Sequence, residues 1–266
     1  MALQPRNLNA RERILSFGGA GQGKSFDFYT IAQLAQMTKS DAKFYVIDTD
    51  VSAYRMVEDP ALSRLTDTDG NLIPNLIIED EVYDWDSLMG SLKRIQGMME
   101  SQDWLMLDMM SPAWGWVQSA FTEKVFGQGT DEYFLQKRAA MRNPGKDKAF
   151  EGWTDWPVIN TMYRSLQNAL LRSPGHLYAT AEVKAISADQ AEKDTRMIFG
   201  PHGVIPVGQK RDMHLFQTVI LKAASRPDTY EAITVKDRGG REKMKGMPIN
   251  NFAKDYLVKV GGWKLA

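Results

Sequence analysis

The chain has 266 residues, and its 33 Lys and Arg residues balance 33 Asp and Glu residues, so the formal net charge is zero. Hydrophobic residues make up 43% and charged residues 25% of the chain. This is the composition of an ordinary globular protein, which excludes a disordered tail, a fibre and a histone-like basic coat. Because cysteine is absent, a disulfide scaffold and a thiolate zinc site are excluded as well.

The sequence shows no sign of a membrane span or a signal peptide. No apolar run approaches the roughly 20 residues that a bilayer-crossing helix needs. The first segment, MALQPRNLNARER, lacks the apolar core of a signal peptide. We therefore expect a soluble, cytoplasmic protein with no membrane partner.

Strands alternate with helices over the first half of the chain. Short apolar runs predict strands at residues 13–17, 44–47, 76–78 and 104–108. Apolar residues at helical spacing predict one helix between the first two strands and another over residues 85–99. This alternation is typical of βαβ units, which build a mostly parallel sheet with helices on both faces.

The second half changes character. Residues 123–157 and 184–211 are polar, glycine-containing stretches, and we expect loop excursions there. The remaining apolar patterns predict a helix and three strands, at residues 155–171, 177–181, 216–221 and 230–235. The last two strands predict antiparallel additions at the C-terminal side of the sheet. The simplest organisation is a single α/β domain over residues 1–266, with a core of about 12–240.

The most specific motif is the segment GGAGQGKS at residues 18–25, which satisfies G-x-x-x-x-G-K-[ST] between a predicted strand and a predicted helix. Glycines allow successive backbone N–H groups to turn inward around an anion, and the helix N-terminus adds a partial positive charge. Lys24 would reach the β- and γ-phosphates of ATP, and the Ser25 hydroxyl would bind Mg²⁺. The residues predicted to contact the nucleotide are Gly18, Gly19, Ala20, Gly21, Gln22, Gly23, Lys24, Ser25 and Phe26.

Carboxylates follow two of the predicted strands. Asp108 ends an apolar strand, where a carboxylate would orient Mg²⁺. Asp50 ends the segment I-D-T-D after the second strand, where it could activate the water that attacks the γ-phosphate. Asp48 competes for that role, and a helix cap or a turn is the alternative reading of Asp50.

Taken together, the phosphate loop, the I-D-T-D and L-M-L-D strand ends and a late K-D-R segment resemble the RecA-like P-loop ATPases. The chain looks most similar to the short phage ATPases of the Sak4 type, relatives of RecA and RadA. This resemblance implies a RecA-like P-loop NTPase fold, Mg²⁺-dependent ATP hydrolysis, and recombination, annealing or repair on single-stranded DNA. For a phage protein it implies the host cytoplasm.

The resemblance also assigns roles to single residues. The family usually has Glu where this chain has Asp50, and Gln or His as the polar sensor where Thr180 or Glu182 would have to serve. The segment V-K-D-R-G-G is similar to the family's K-N-R motif, so Lys236 and Arg238 would reach the nucleotide of a neighbouring subunit. A homo-oligomer, either ring or filament, with composite nucleotide sites follows from this assignment. A solvated basic turn is the alternative.

Basic residues are interleaved with aromatic ones in the first excursion and recur in the second. This pattern suits a single strand, because cations hold phosphates while rings stack on bases. The rings in question are Tyr133, Phe134, Trp153 and Trp156. Alternatively these rings pack in the core and the charges are solvated surface. A single-strand-binding protein is a further expected partner. Two other functions remain open: a hexameric DNA motor (a helicase or packaging ATPase), and a nucleotide-gated binding module with little hydrolysis.

Overall fold

The structure is a computed structural model, and it describes residues 3–4, 11–62, 64–140, 154–186, 193–209, 211–226, 229–238, 247–248 and 251–265. The strands are β1 (Leu3–Gln4), β2 (Arg13–Phe17), β3 (Phe44–Asp48), β4 (Leu76–Glu79), β5 (Trp104–Asp108), β6 (His176–Ala181), β7 (Val183–Ala185), β8 (Val204–Pro206), β9 (Thr218–Arg226), β10 (Thr229–Asp237), β11 (Met247–Pro248) and β12 (Lys264–Leu265). The α-helices are α1 (Lys24–Met37), α2 (Ala53–Val57), α3 (Trp85–Met98), α4 (Ser111–Phe126), α5 (Thr130–Ala140), α6 (Asp155–Leu171), α7 (Lys193–Phe199) and α8 (Asp212–Leu215). Short 3₁₀ turns cover Pro60–Leu62 and Gly200–His202, and a π-helix covers Ala253–Val260.

The central feature is an eight-stranded sheet with the order β11-β10-β9-β2-β6-β5-β3-β4. Strands β9, β2, β6, β5, β3 and β4 run parallel, whereas β10 and β11 are antiparallel additions. The predicted α/β class, the mostly parallel sheet and the antiparallel strands at the C-terminal side are confirmed. The order places β6 between β2, which precedes the phosphate loop, and β5, which ends at Asp108.

The sheet is buried on both faces, and its central strands are mostly apolar. Every residue of β2, β3, β5 and β6 is buried. Alternate side chains point to opposite faces, so Leu15 and Leu107 pack against α3, α4 and α6, while Ile14 and Met106 pack against α1 and the π-helix. These two layers of helices hold the carboxyl ends of the parallel strands in fixed positions.

Two expectations about the second half of the chain need correction. The loop excursion expected over residues 123–157 instead contains the end of α4 and all of α5. These two helices contact each other through Phe126 and Tyr133, whose rings stack with centroids 4.4 Å apart. Its residues 141–153 lie outside the described residues. The stretch 184–211 contains part of β7, the helix α7 and β8, and β7 pairs with β8 as a separate two-stranded sheet. No helix in the described ranges has both the length and the apolar character needed to cross a bilayer.

Candidate functional site

The segment of residues 18–25 connects β2 to α1 and forms one wall of a cleft of about 370 Å³. Gly21 and Gly23 adopt positive φ angles of 69° and 73°, a conformation that glycine adopts without steric cost. The cleft is lined by residues 18–25 of this loop and by Asp50, Ser52, Met56, Met109, Glu182 and Val183. Backbone from the loop and side chains from the ends of β3, β5 and β6 therefore meet at one edge of the sheet.

Lys24 lies over the loop that it follows. Its Nζ donates hydrogen bonds to Gly18 O at 3.1 Å and Gly19 O at 2.8 Å. Burial lowers the pKa of Lys24, while the negative charges of Asp108, Glu182 and Asp50 act in the opposite direction. The positive charge of Lys24 at the cleft is thus favoured by three carboxylates.

The loop is also fixed from within and from below. Gln22 Oε1 accepts a hydrogen bond of 2.6 Å from Gly19 N. A Cβ atom on Gly18 would lie 2.6 Å from the backbone oxygen of Lys222 in β9, a distance that leaves no room for a side chain. The first residue of the motif is therefore glycine because the loop approaches β9 too closely for any other residue.

Ser25 lines the cleft and contacts Asp108, which is buried beside it. Ser25 Oγ donates a hydrogen bond of 2.9 Å to Asp108 Oδ1, and the Thr180 hydroxyl donates to the same oxygen. Asp108 Oδ2 is buried and has no hydrogen-bond partner among the described residues. Burial raises the pKa of Asp108 to about 6, and the hydrogen bonds from Thr180 and Ser25 oppose that rise.

These oxygens fit a magnesium ion. Mg²⁺ prefers oxygen ligands and is usually bound by one or two protein groups together with phosphate oxygens and water. The buried and unpartnered Asp108 Oδ2 beside the Ser25 hydroxyl offers such groups. Within the described residues, no group of three or more His, Cys, Asp or Glu side chains is arranged to hold a metal ion. The donor set therefore suits a metal that enters together with a nucleotide.

The two carboxylates at the end of β3 have different environments. Asp48 is fully buried, and its oxygens accept hydrogen bonds from Ala53 N at 2.8 Å and Asp50 N at 3.3 Å. Burial raises the pKa of Asp48. Asp50 is exposed and lines the cleft. Of the two, Asp50 has the access to solvent and to the cleft that activation of a water would need, while Asp48 orders the turn that carries it.

Thr49, between these two carboxylates, joins the ends of β3 and β5. Its hydroxyl donates to Met109 O at 2.9 Å and accepts from Met109 N at 2.7 Å. The peptide bond between Asp108 and Met109 is cis. The two hydrogen bonds fix the backbone directly after Asp108.

The structure places Lys236 and Arg238 away from their own phosphate loop. Arg238 N donates to Gln217 O, and Gln217 N donates to Arg13 O, so this end of β10 lies beside the amino end of β2. The loop begins at the other end of β2, about 16 Å further along the strand at 3.3 Å per residue. Arg238 therefore lies far from the loop of its own chain.

Lys236 makes its contacts within its own chain. Its Nζ donates to Met213 O at 3.1 Å, His214 O at 2.9 Å and Phe216 O at 2.8 Å. An ammonium group has three donors, so all of them are used here. Arg238 is exposed and donates to His214 O at 2.8 Å. The basic segment therefore anchors α8, and of the two residues Arg238 is the one on the surface.

Other residues selected from the sequence have structural contacts. Phe26 does not line the cleft, and its partly buried side chain packs against the core on the α1 face. Two of the rings expected to stack on bases stack on other rings of the protein: Tyr133 on Phe126, and Trp156 on Trp114 with ring centroids 6.2 Å apart. A third, Phe134, packs against the core. Trp153 lies outside the described residues. The described rings are thus largely engaged in packing.

Sequence reasoning did not select several residues of the cleft. Met109 directly follows β5, Val183 begins β7, and Ser52 and Met56 flank or belong to α2. The usable signal was positional, because the carboxyl ends of parallel strands meet at one edge of the sheet. Lys222 and its partner Asp27 were also missed, although a lysine inside the apolar run V-I-L-K-A is a visible anomaly.

Comparisons with known proteins give distant likenesses to solved structures. A crystal structure of a RadB recombinase aligns with a TM-score of 0.45 and 12% identity, covering 92% of this chain and 86% of that chain. A KaiC-like protein from the hyperthermophilic archaeon Pyrococcus horikoshii OT3 aligns with a TM-score of 0.47 and 13% identity, covering 88% of this chain and 83% of that chain. No protein-family model matches the chain, and no curated protein matches it. Neither likeness assigns a role to a residue of this chain.

Proposed function

We propose that this chain is a Mg²⁺-dependent ATPase of the RecA-like type that acts on single-stranded DNA in recombination, annealing or repair, like the short phage ATPases that its motifs resemble. The observation that carries the ATPase part is the Ser25–Asp108 hydrogen bond beneath a glycine-rich loop at the start of α1. A buried carboxylate oxygen without a partner beside that hydroxyl favours a metal–nucleotide ligand over a simple turn.

Phosphate binding rests on groups of the loop itself. Residues 18–25 line the cleft together with the N-terminus of α1, where the helix dipole favours an anion. The N–H groups of Gly18 and Gly19 donate to Ala181 O and Gln22 Oε1, so N–H groups further along the loop would donate to phosphate. Lys24 Nζ, held by Gly18 O and Gly19 O, would exchange these carbonyls for phosphate oxygens. The loop therefore supplies both the charge and the donors that a triphosphate needs.

Hydrolysis needs charge neutralisation and a positioned water. A bound Mg²⁺ would neutralise charge that develops on the β- and γ-phosphate oxygens, and Ser25 and Asp108 would hold it. Asp50, exposed at the cleft, would orient the attacking water and accept its proton. Glu182 lines the same cleft and Thr180 contacts Asp108, and these positions support one or the other as the polar sensor of the γ-phosphate.

Assembly into a ring or filament is part of the same proposal. Arg238 lies at the opposite end of the sheet from its own loop, so its role in trans requires a neighbouring subunit. An arginine supplied in trans would stabilise the charge of the transition state and make hydrolysis depend on assembly. Because Lys236 is held by three carbonyls of its own chain, we assign the trans role to Arg238 and a supporting role to Lys236.

The DNA part of the proposal rests on the resemblance and on charge. The segments that follow β5 and β6 carry exposed cations at Arg138, Lys184, Lys193, Arg196 and Arg211. Since the described rings are packed, contacts to phosphates would dominate over base stacking, and binding would weaken steeply with salt.

A single-turnover ATP hydrolysis assay with and without single-stranded DNA tests the proposal. We expect Mg²⁺-dependent turnover that single strands stimulate. Strand displacement would indicate a DNA motor instead, and tight ATP binding without turnover would indicate a nucleotide-gated binding module. Turnover that DNA leaves unchanged would support the ATPase and contradict the DNA part.

A further inference from the structure

A buried ion pair lies beneath the phosphate loop. Lys222 Nζ in β9 is 3.0 Å from Asp27 Oδ1 and 2.9 Å from Asp27 Oδ2 in the first turn of α1. The side chains are 1% and 4% exposed. Ile220 and Lys222 share one face of β9, and Ile220 belongs to the core on the α1 face, so the lysine occupies a position where an apolar residue would be expected.

Stability alone does not explain such a pair. Removing two charges from water is costly, and well-packed apolar residues of similar volume are often equally or more stabilising than a buried ion pair. A buried pair does, however, fix the relative position of two elements, because any displacement leaves a charge without its partner. The position that this pair fixes is that of α1 relative to β9.

Both limbs of the phosphate loop contact Lys222. The backbone oxygen of Lys222 lies 2.6 Å from the position that a Cβ atom on Gly18 would take. The side chain of Lys222 binds Asp27, which follows Ser25 by two residues. Tyr178, in β6, adds a hydrogen bond of 2.9 Å to Lys24 O. The start of the loop and the first turn of α1 are thus fixed to the same residue of β9.

We propose that Lys222 and Asp27 form a positioning pair that holds the phosphate loop in its nucleotide-binding shape. This inference rests on the proposed function, since it concerns the affinity of the same site for ATP. Neither residue lines the cleft, so the pair acts through the loop backbone and the helix start rather than by touching the ligand. The strand that supplies Lys222 also pairs with β10, the strand that ends beside Arg238.

The test compares the ATP affinity and the melting temperature of variants in the pair. Lys222→Met alone leaves Asp27 buried without its partner, and we expect a lower melting temperature and weaker binding. The double variant Asp27→Leu/Lys222→Met replaces the pair by apolar residues, and we expect stability to recover while the dissociation constant for MgATP stays about tenfold above that of the parent. Asp27→Asn keeps the shape of the side chain and should also weaken binding.

Leu166→Ala is the matched control. Leu166 is fully buried in α6 on the opposite face of the sheet, so this variant loses stability without touching the loop. We expect its affinity for MgATP to equal that of the parent at a temperature where both are folded. If Leu166→Ala weakens binding as much as the pair variants do, the effect is a general loss of stability and the inference is wrong.

The outcomes separate this inference from the proposed function. If the parent binds MgATP and either Asp27→Asn or the folded double variant binds it within about twofold of the parent, the pair is only structural and the positioning role is overturned. If the parent itself binds no MgATP while folded, the proposed function fails and the positioning role falls with it.

Discussion

Ser25 Oγ lies 2.9 Å from Asp108 Oδ1, although 83 positions separate the two residues in the chain. The strands that carry them toward the cleft, β2 and β5, are not neighbours, because β6 lies between them. Thr180 on β6 donates to the same oxygen of Asp108, so three strand ends meet at one carboxylate. The order of the strands in the sheet thus builds the metal-binding part of the proposed ATP site.

Replacing this carboxylate should stabilise the protein in the absence of ligand. Burial raises the pKa of Asp108 to about 6, so at pH 7.5 the folded protein holds a charge that the unfolded chain accommodates more easily. Asp108→Asn removes that charge, and we expect the free energy of unfolding at pH 7.5, measured with urea, to rise by about 1 kcal/mol. Mg²⁺-dependent stabilisation by ATP should be lost in the same variant.

The pH dependence of this gain follows from the sign of the shift. The folded protein binds a proton at Asp108 more tightly than the unfolded chain does, so wild-type stability falls as pH rises from about 4 toward 6. The advantage of Asp108→Asn should therefore be fully present above pH 6, smaller at pH 4.5, and absent below about pH 4. An equal advantage at pH 4.5 and pH 7.5 would contradict the raised pKa, and a less stable variant at pH 7.5 would contradict the buried charge.

Asp48 and Asp50 should separate into a structural and a catalytic carboxylate. Asp50→Asn leaves the turn intact, and we expect ATP binding and the melting temperature to be retained while turnover falls by about 10²-fold or more. Asp48→Asn alters the acceptor for Ala53 N and Asp50 N, and we expect a lower melting temperature. If a single-turnover assay shows unchanged turnover in Asp50→Asn, Asp50 is a turn residue and does not activate water.

The sequence predicts the strands and helices of the sheet well, but it predicts the contacts between the residues of the candidate site only in part. Apolar runs gave the central strands to within two residues, because strands such as Trp104–Asp108 are buried on both faces and carry few polar residues. The phosphate loop was visible because its residue types are rare in combination. The sequence could not show which of Asp48 and Asp50 lines the cleft, since both lie at the end of the same strand and differ in burial.

Contacts between distant segments were the part that the sequence could not provide. Lys236 donates three hydrogen bonds to carbonyls within residues 213–216, and Lys222 pairs with Asp27, 195 positions away in the chain. Both sets of contacts depend on how the elements pack in three dimensions. The aromatic residues of the first excursion were ambiguous for the same reason, because stacking on a base and stacking on Phe126 need the same ring.

Arg238 and Lys236 should differ when they are substituted. Arg238→Ala leaves the loop untouched, so if Arg238 is an arginine finger we expect near-normal ATP binding with turnover lowered by about 10³-fold. Lys236→Ala removes hydrogen bonds to three carbonyls, and we expect a lower melting temperature.

Hydrolysis per subunit should rise with protein concentration in the parent as subunits assemble.

Mixing the variants tests the role in trans. A Lys24→Ala subunit still offers Arg238, and an Arg238→Ala subunit still offers its loop, so their mixture should regain activity that neither has alone. If light scattering shows mixed assemblies and the mixture stays as inactive as its parents, Arg238 belongs to a solvated basic turn and does not act in trans.

Isothermal titration calorimetry with MgATP tests the proposed ATP site most directly. It compares the parent with Lys24→Ala under conditions where both proteins are folded. Lys24 Nζ contributes the cation of the loop, and its removal leaves the loop backbone in place. We expect the parent to bind about one ATP per chain in a Mg²⁺-dependent manner, and we expect Lys24→Ala to show no binding at the same concentrations. Absence of binding by the folded parent, or equal affinity in Lys24→Ala, would contradict the assignment of residues 18–25 as an ATP site.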